Sequence, residues 1–334
     1  MHAIEIQKDA QGNDIALAGY RREPAWHLLG TVKDELEFAD TGLGGWEIVG
    51  QPAYVKIGDE FVEVDPKLGQ VMTRTLKNGT RAPLSMVGPN IVPHQNEDLE
   101  VFARALLEIG ADSDNPLIFE AGGSLNDGKR VWLLFQIPGT FEVGGDQFAR
   151  YLCVETSHDG RGATRAFITY IRVVCWNTLS AASSAATNKY VIRHTGRLYP
   201  QLAVQAREVL GLHLKVDPVL TAIVDEWQNV PVSDGQWEQI VTGLVPDVPK
   251  HFTDRQKRTV TRKRVMLNDL YFTSPTIGQY KGTKWGAVNA ITEAYQWAPG
   301  SQTSAESLAK RQMVGAAANE RAAVRLVDAV LAGA

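Results

Sequence analysis

The sequence predicts an α+β fold: a central antiparallel β-sheet flanked by helices, with a β-rich N-terminal region and a helical C-terminal region. Three observations predict it. Val131, Leu133, Phe135 and Ile137 alternate with Trp132 and Leu134, the two-residue period of a strand. Asn126-Asp127-Gly128 precedes that run and is hairpin-turn chemistry. After Pro218 the apolar residues recur at helical spacing, and no βαβ crossover repeats.

Residues 1–90 read as short strands and loops. Trp46-Glu47-Ile48-Val49, Ala53–Ile57 and Glu60–Val64 are strand-like, Lys77-Asn78-Gly79-Thr80 marks a hairpin, and Trp26 and Trp46 are candidate anchors of a small core. Residues 91–215 form the central α+β unit. Asn96-Glu97-Asp98 opens a helix whose stripe is Leu99, Phe102, Leu106 and Ile109, and Gly110 stops it. Strands follow over Leu117–Gly123 and Lys129–Ile137, with Pro138-Gly139 expected to end the second. Tyr151–Thr156 and Ala163–Trp176 extend the sheet. Asn177–Ala186 is small-residue helix or turn, and Leu202–Leu210 is helix. Residues 216–334 are mainly helical. Gln256–Leu270, Lys284–Trp297 and the Ala-rich Ala305–Ala332 are the helix candidates.

The composition, 44% hydrophobic and 22% charged over 334 residues, is that of an ordinary globular protein. No apolar signal core follows Met1-His2-Ala3-Ile4-Glu5, and no run reaches the length of a membrane span, so a cytoplasmic protein without membrane contact is expected. Cys153 and Cys175 make neither a disulfide framework nor a zinc site. The net charge of −4 does not announce nucleic-acid binding, but the charge is unevenly spread. Acids crowd Asp34–Glu37 and Asp59–Asp65. Arg255, Lys257, Arg258, Arg262, Lys263 and Arg264 put six cations within ten residues. No acid inside that window compensates them, which favours a polyanion contact over a solvated helix face. Tyr271 and Phe272 follow, and either stack on bases or pack in the core.

The most informative stretch is Tyr151–Leu179. Two β-rich runs flank the turn Ser157-His158-Asp159-Gly160-Arg161-Gly162, and the outgoing run carries Arg165 and Arg172 among Phe167, Ile168, Tyr170, Ile171 and Val173. Gly160-Arg161-Gly162 offers backbone N–H groups beside a guanidinium, either a phosphate-holding turn or a plain hairpin tip. Arg165 and Arg172 are seven apart and fall on opposite faces of a regular strand, so one of them can instead pair with a carboxylate such as Glu155.

Five segments carry a resemblance. They are Glu23–Thr31, Val87-Gly88 to Glu97, Ser157 to Arg165, Ile192-Arg193-His194-Thr195-Gly196 and Gly282–Glu293. Together they resemble the phage/plasmid-like family of uncharacterised proteins built around domain of unknown function 932. The resemblance implies a phage, prophage or plasmid gene expressed in a bacterial cytoplasm and brings no settled activity. The order helix, antiparallel sheet, helix is also similar, at the level of fold, to single-strand annealing proteins of the Red-beta/RecT type. That similarity implies a homo-oligomeric ring or filament, with single-stranded DNA held in a basic groove. Arg161, Arg165 and Arg172 would line the groove beside the sheet, and Lys189, Arg193 and Arg197 would add contacts after it. Host recombination or replication proteins are the implied partners.

The leading expectation is therefore a nucleic-acid-binding protein without bond-breaking chemistry, with no cofactor, no metal and no catalytic residue assigned. Two alternatives stay open: a metal-dependent enzyme on nucleic acid or nucleotides using Glu155, His158 and Asp159, and a module that binds a host factor. Asp-Gly is ordinary turn chemistry, which weighs against catalysis there. Gly282-Thr283-Lys284 lacks the spacing of a phosphate loop, and no nucleophile elbow, HExxH or dinucleotide fingerprint occurs.

Overall fold

A computed structural model describes residues 4–8, 14–18, 38, 43–76, 78–108, 118–172, 177–178, 189–210, 218–249, 251–297 and 316–333. It is α+β, as the sequence predicts. β1 (Ile4–Lys8) and β2 (Asp14–Ala18) pair as an antiparallel ribbon. β3 (Val49–Gln51) is shorter than the run expected from Trp46, because Glu47 takes a positive φ of 39° that bends the chain. β4 (Tyr54–Ile57) and β5 (Glu60–Glu63) form a separate ribbon. β6 (Gln70–Thr75) and β7 (Arg81–Val87) complete a three-stranded sheet in the order β3-β6-β7 around Ile48, Met72, Leu84 and Val87. Trp26 lies outside the described residues. Trp46 lies between this small core and the main one, with the Arg74 guanidinium 4.1 Å above its ring.

α1 (Asn96–Glu108) begins where the sequence predicts, and Leu99, Phe102 and Leu106 are fully buried; Ile109 and the expected stop at Gly110 lie outside the described residues. The main sheet follows from β8 (Ile118–Leu125), β9 (Arg130–Val143), β10 (Asp146–Ser157) and β11 (Thr164–Arg172), all antiparallel neighbours. The β8–β9 turn places Asn126, Asp127 and Gly128 at φ 55°, 57° and 87°, left-handed backbone that these three residue types tolerate. Pro138-Gly139 does not end β9. Ile137 pairs with Arg150 and Thr140 with Ala149, so Pro138 and Gly139 form a bulge and the ladder resumes beyond them. A proline in a bulge removes no ladder bond, and Gly139 supplies the required φ of 85°. β12 (Asn177–Thr178) and β13 (Lys189–Ile192) both pair with β11. The remainder of 177–186, expected as helix or turn, lies outside the described residues.

α2 (Leu202–Leu210) packs beside α1 on the sheet face that carries Val131, Leu133, Phe135, Leu152, Val154, Ala166 and Ile168. α3 (Pro218–Asn229), α4 (Asp234–Leu244), α5 (Asp254–Thr273), α6 (Lys284–Trp297) and α7 (Ala316–Leu331) make up the C-terminal part. Capping boxes, Ser233 with Gln236 and Thr253 with Gln256, start α4 and α5 by satisfying N–H groups the helix leaves open. Trp237, Ile240, Leu267, Tyr271, Ile291 and Val327 form a second core among α4–α7. Trp227, Tyr280, Trp285 and Val288 belong to the core of the sheet. The Trp285 indole N–H donates to Asp146 Oδ2 at 2.7 Å, and the Tyr280 hydroxyl donates to the Gly144 carbonyl at 3.0 Å, so α6 is fastened to the β9–β10 hairpin. Among the described residues no helix is long and apolar enough to cross a membrane.

Candidate nucleic-acid interface

Among the described residues, the β10–β11 turn and its surroundings carry a dense network of polar side-chain contacts. Asp159 accepts from the Ser157 hydroxyl and, at 3.0 Å, from the Arg161 backbone N–H. Burial raises the Asp159 carboxyl, but those two bonds and the nearby guanidinium groups outweigh it and hold the carboxyl below its ordinary range. Gly160, at φ 72°, packs on Val87, and a Cβ at Gly162 would meet Ser157 at 3.2 Å. The turn is thus closed on itself. The Arg161 N–H is occupied, which removes one donor of the expected phosphate cradle, while the Arg161 side chain is exposed.

Beneath the turn lie three buried histidines. His94 contacts the Gly196 carbonyl through Nε2 at 2.9 Å, and His194 contacts the Val92 carbonyl through Nδ1 at 3.1 Å. A carbonyl can only accept, which assigns the proton to those nitrogens. The opposite nitrogen of His94 therefore accepts from Thr164 at 2.6 Å, and Thr164 in turn accepts from Thr156 at 2.7 Å. The His94 and His194 rings stack with centroids 4.2 Å apart. Asn96 donates to the Leu43 carbonyl at 2.8 Å, so its oxygen faces His158 Nε2 at 3.0 Å and takes that proton. His158 Nδ1 is left a buried acceptor with no hydrogen-bond partner. Burial, reinforced by the neighbouring imidazoles, pushes His158 down to about 3 and His194 down to about 4, and burial also lowers His94. All three are neutral at physiological pH. They pin the loop before α1, the ends of β10 and β11 and the loop after β13 to one another.

Glu155, His158 and Asp159 do not converge. Glu155 shares the sheet face of Trp132 and Arg165, its register partners. His158 reaches Asn96 of α1, on the opposite side. The buried Glu155 carboxylate is paired with Arg165 and lies 4.0 Å from Arg130. Among the described residues no group of three His, Cys, Asp or Glu side chains is placed to hold a metal.

The expected basic residues fall into two places. Phe167 pairs with Lys189 and Arg165 with Val191, so these four side chains share one face of β11–β13. Lys189, Arg193 and Arg197 are exposed, as is Tyr199. No carboxylate among the described residues forms an ion pair with Lys189, Arg193 or Arg197, whereas the Arg161 guanidinium acts on Asp159. Arg172 closes β11 opposite Phe148 and Asn177, and its side chain lies outside the described residues. The second place is α5. Arg255, Arg258, Arg262 and Lys263 are exposed there. Lys257 lies 3.8 Å from Asp254, and Arg264 binds the Val245 carbonyl and Asp247, so those two do have partners. Tyr271 is core, stacked on Trp237 at 4.0 Å.

Of the three histidines, the sequence reading singled out only His158, within the Glu155, His158 and Asp159 alternative, and missed His94 and His194. The available signal was that His94, His158 and His194 each lie within one of the segments that carried the family resemblance. No curated protein and no solved structure matches this chain. A family model described as Domain of unknown function (DUF932) matches residues 83–317, which span the main sheet, the histidine cluster and most of the helical part, and the chain therefore belongs to that family.

Proposed function

We propose that this protein binds single-stranded nucleic acid, as a phage or plasmid protein of recombination or replication acting in a bacterial cytoplasm without bond-breaking chemistry. One observation carries the reading. The face of β11–β13 presents Lys189 beside Phe167, and exposed Arg193 and Arg197 continue from the strand without acidic partners among the described residues. Cations interleaved with an aromatic on a rigid sheet suit backbone capture and base stacking. The stacked His94 and His194, bonded to the Gly196 and Val92 carbonyls, hold the backbone between Arg193 and Arg197, which limits the ordering those cations need on binding. Arg165 contributes less than expected, because Glu155 engages it.

The test is anisotropy of a fluorescent single-stranded oligonucleotide across a salt series. Wild type should bind with a steep salt dependence. Each of Lys189→Ala, Arg193→Ala and Arg197→Ala should lower the logarithmic salt slope by about 0.7. A triple variant that keeps both affinity and slope, or a wild type that does not bind at low salt, rules the reading out.

A further inference from the structure

We propose that the β4–β5 ribbon is an arm that docks on α5 of a second copy of this chain. Every residue of both strands is exposed. Tyr54 is 58% exposed, Ile57 62% and Phe61 73%, values at odds with side chains this apolar in a finished surface. An isolated two-stranded ribbon is marginal in water and gains stability by packing on something else. The ribbon is rooted by the Val64 N–H bond to the Ala53 carbonyl at 2.8 Å, and Ala53 is buried, so the arm projects from a fixed base.

Charge identifies the occupant. Asp59, Glu60, Glu63 and Asp65 make the arm acidic, with Lys56 its one cation between Tyr54 and Asp65. The N-terminal half of α5 is the complement. From Asp254 to Lys263 it buries no residue, and Arg255, Arg258, Arg262 and Lys263 have no carboxylate partner among the described residues. Val265, 51% exposed, adds an apolar point next to them. Tyr54 and Phe61 share one face of the arm, since Lys56 pairs with Phe61 and Tyr54 with Glu63. Guanidinium groups favour aromatic faces, as Arg74 already does on Trp46 at 4.1 Å. Within one chain both surfaces are exposed, so the arm does not lie on its own helix. The six-cation cluster, expected from the sequence to meet a polyanion, meets an acidic protein arm. An arm-to-helix contact joins two different patches, so it is satisfied by reciprocal arm exchange in a two-fold dimer, by a ring or by an open chain.

Light scattering after size exclusion, with no nucleic acid present, tests this without reference to strand binding. Wild type should exceed the monomer mass at low salt and shift toward monomer as salt rises. Glu60→Lys/Glu63→Lys should be monomeric, and so should Arg258→Glu/Arg262→Glu. Combining all four substitutions in one chain should restore association. Phe61→Ser should weaken it with no change in far-UV circular dichroism, because the side chain leaves no cavity. A wild type that is monomeric at every concentration overturns the proposal. So does an arm-reversed variant with wild-type mass, or a four-fold variant that stays monomeric.

Discussion

Lowering the pH from 7.5 to 5.0 should cost this protein about 4 kcal/mol of stability through two histidines alone. His158 and His194 sit at about 3 and about 4 in the folded chain, against an ordinary 6.5 once unfolded. Both are neutral when folded, so protons bind preferentially to the unfolded chain below pH 6.5. The stabilisation is fully present above 6.5 and is lost as the pH falls toward the folded values. At pH 5.0 each site has lost about 2 kcal/mol by proton linkage. His94 shifts in the same direction and adds to the loss. Asp159 does not confuse the measurement. Its carboxyl is held below 3.8, so its contribution is lost only under more acidic conditions. Urea unfolding at half-unit intervals from pH 7.5 to 5.0, followed by tryptophan fluorescence, reads the effect. His158→Gln should flatten the profile by about 2 kcal/mol while lowering stability at pH 7.5. A wild-type profile that changes by less than about 1 kcal/mol across this window would mean the imidazoles are solvated, and the reasoning fails.

Other perturbations should act in definite directions. Arg165→Met leaves Glu155 buried with Arg130 alone at 4.0 Å; because the guanidinium is partly exposed, unfolding free energy should fall by about 2 kcal/mol, and Glu155→Gln/Arg165→Met should recover part of it. Trp285→Phe removes the indole donor to Asp146, and a loss of about 1–3 kcal/mol in urea unfolding is expected. Gly286→Ala sets a Cβ 2.2 Å from the Tyr280 carbonyl and should destabilise by about 2 kcal/mol, whereas Gly235→Ala meets nothing within 4 Å and should raise the thermal midpoint.

Elements governed by local chemistry were legible in the sequence. The stripe of α1 and the Asn126-Asp127-Gly128 hairpin depend on residues within a few positions of each other, and both stand where the pattern put them. Pro138-Gly139 misled because a proline signals a break only where its missing N–H would matter; inside a bulge it does not. The basic cluster was legible as charge, but its partners were not. Asp247 reaches Arg264 from the loop before α5, across a separation that helical spacing does not cover. The histidine cluster was illegible for a stronger reason. His94 and His194 are 100 residues apart and meet only because α1 and β13 both abut the β10–β11 end of the sheet. Periodicity carries no information about such a meeting.

The bond between Lys284 and Asp328 bears on where a fragment of this protein can be cut. Lys284 is buried at the start of α6, 4.6 Å from the Trp227 ring, and its ammonium lies 2.6 Å from an Asp328 oxygen on α7. The family match stops at residue 317, one residue past the start of α7, and begins at 83, two residues into β7. A polypeptide trimmed to that span would keep the lysine in its pocket and discard the carboxylate that neutralises it. It would also strip Ala323 and Val327 from the second core and leave most of β7 without β6. The stretch by which relatives are recognised is therefore shorter than the stretch that has to fold together.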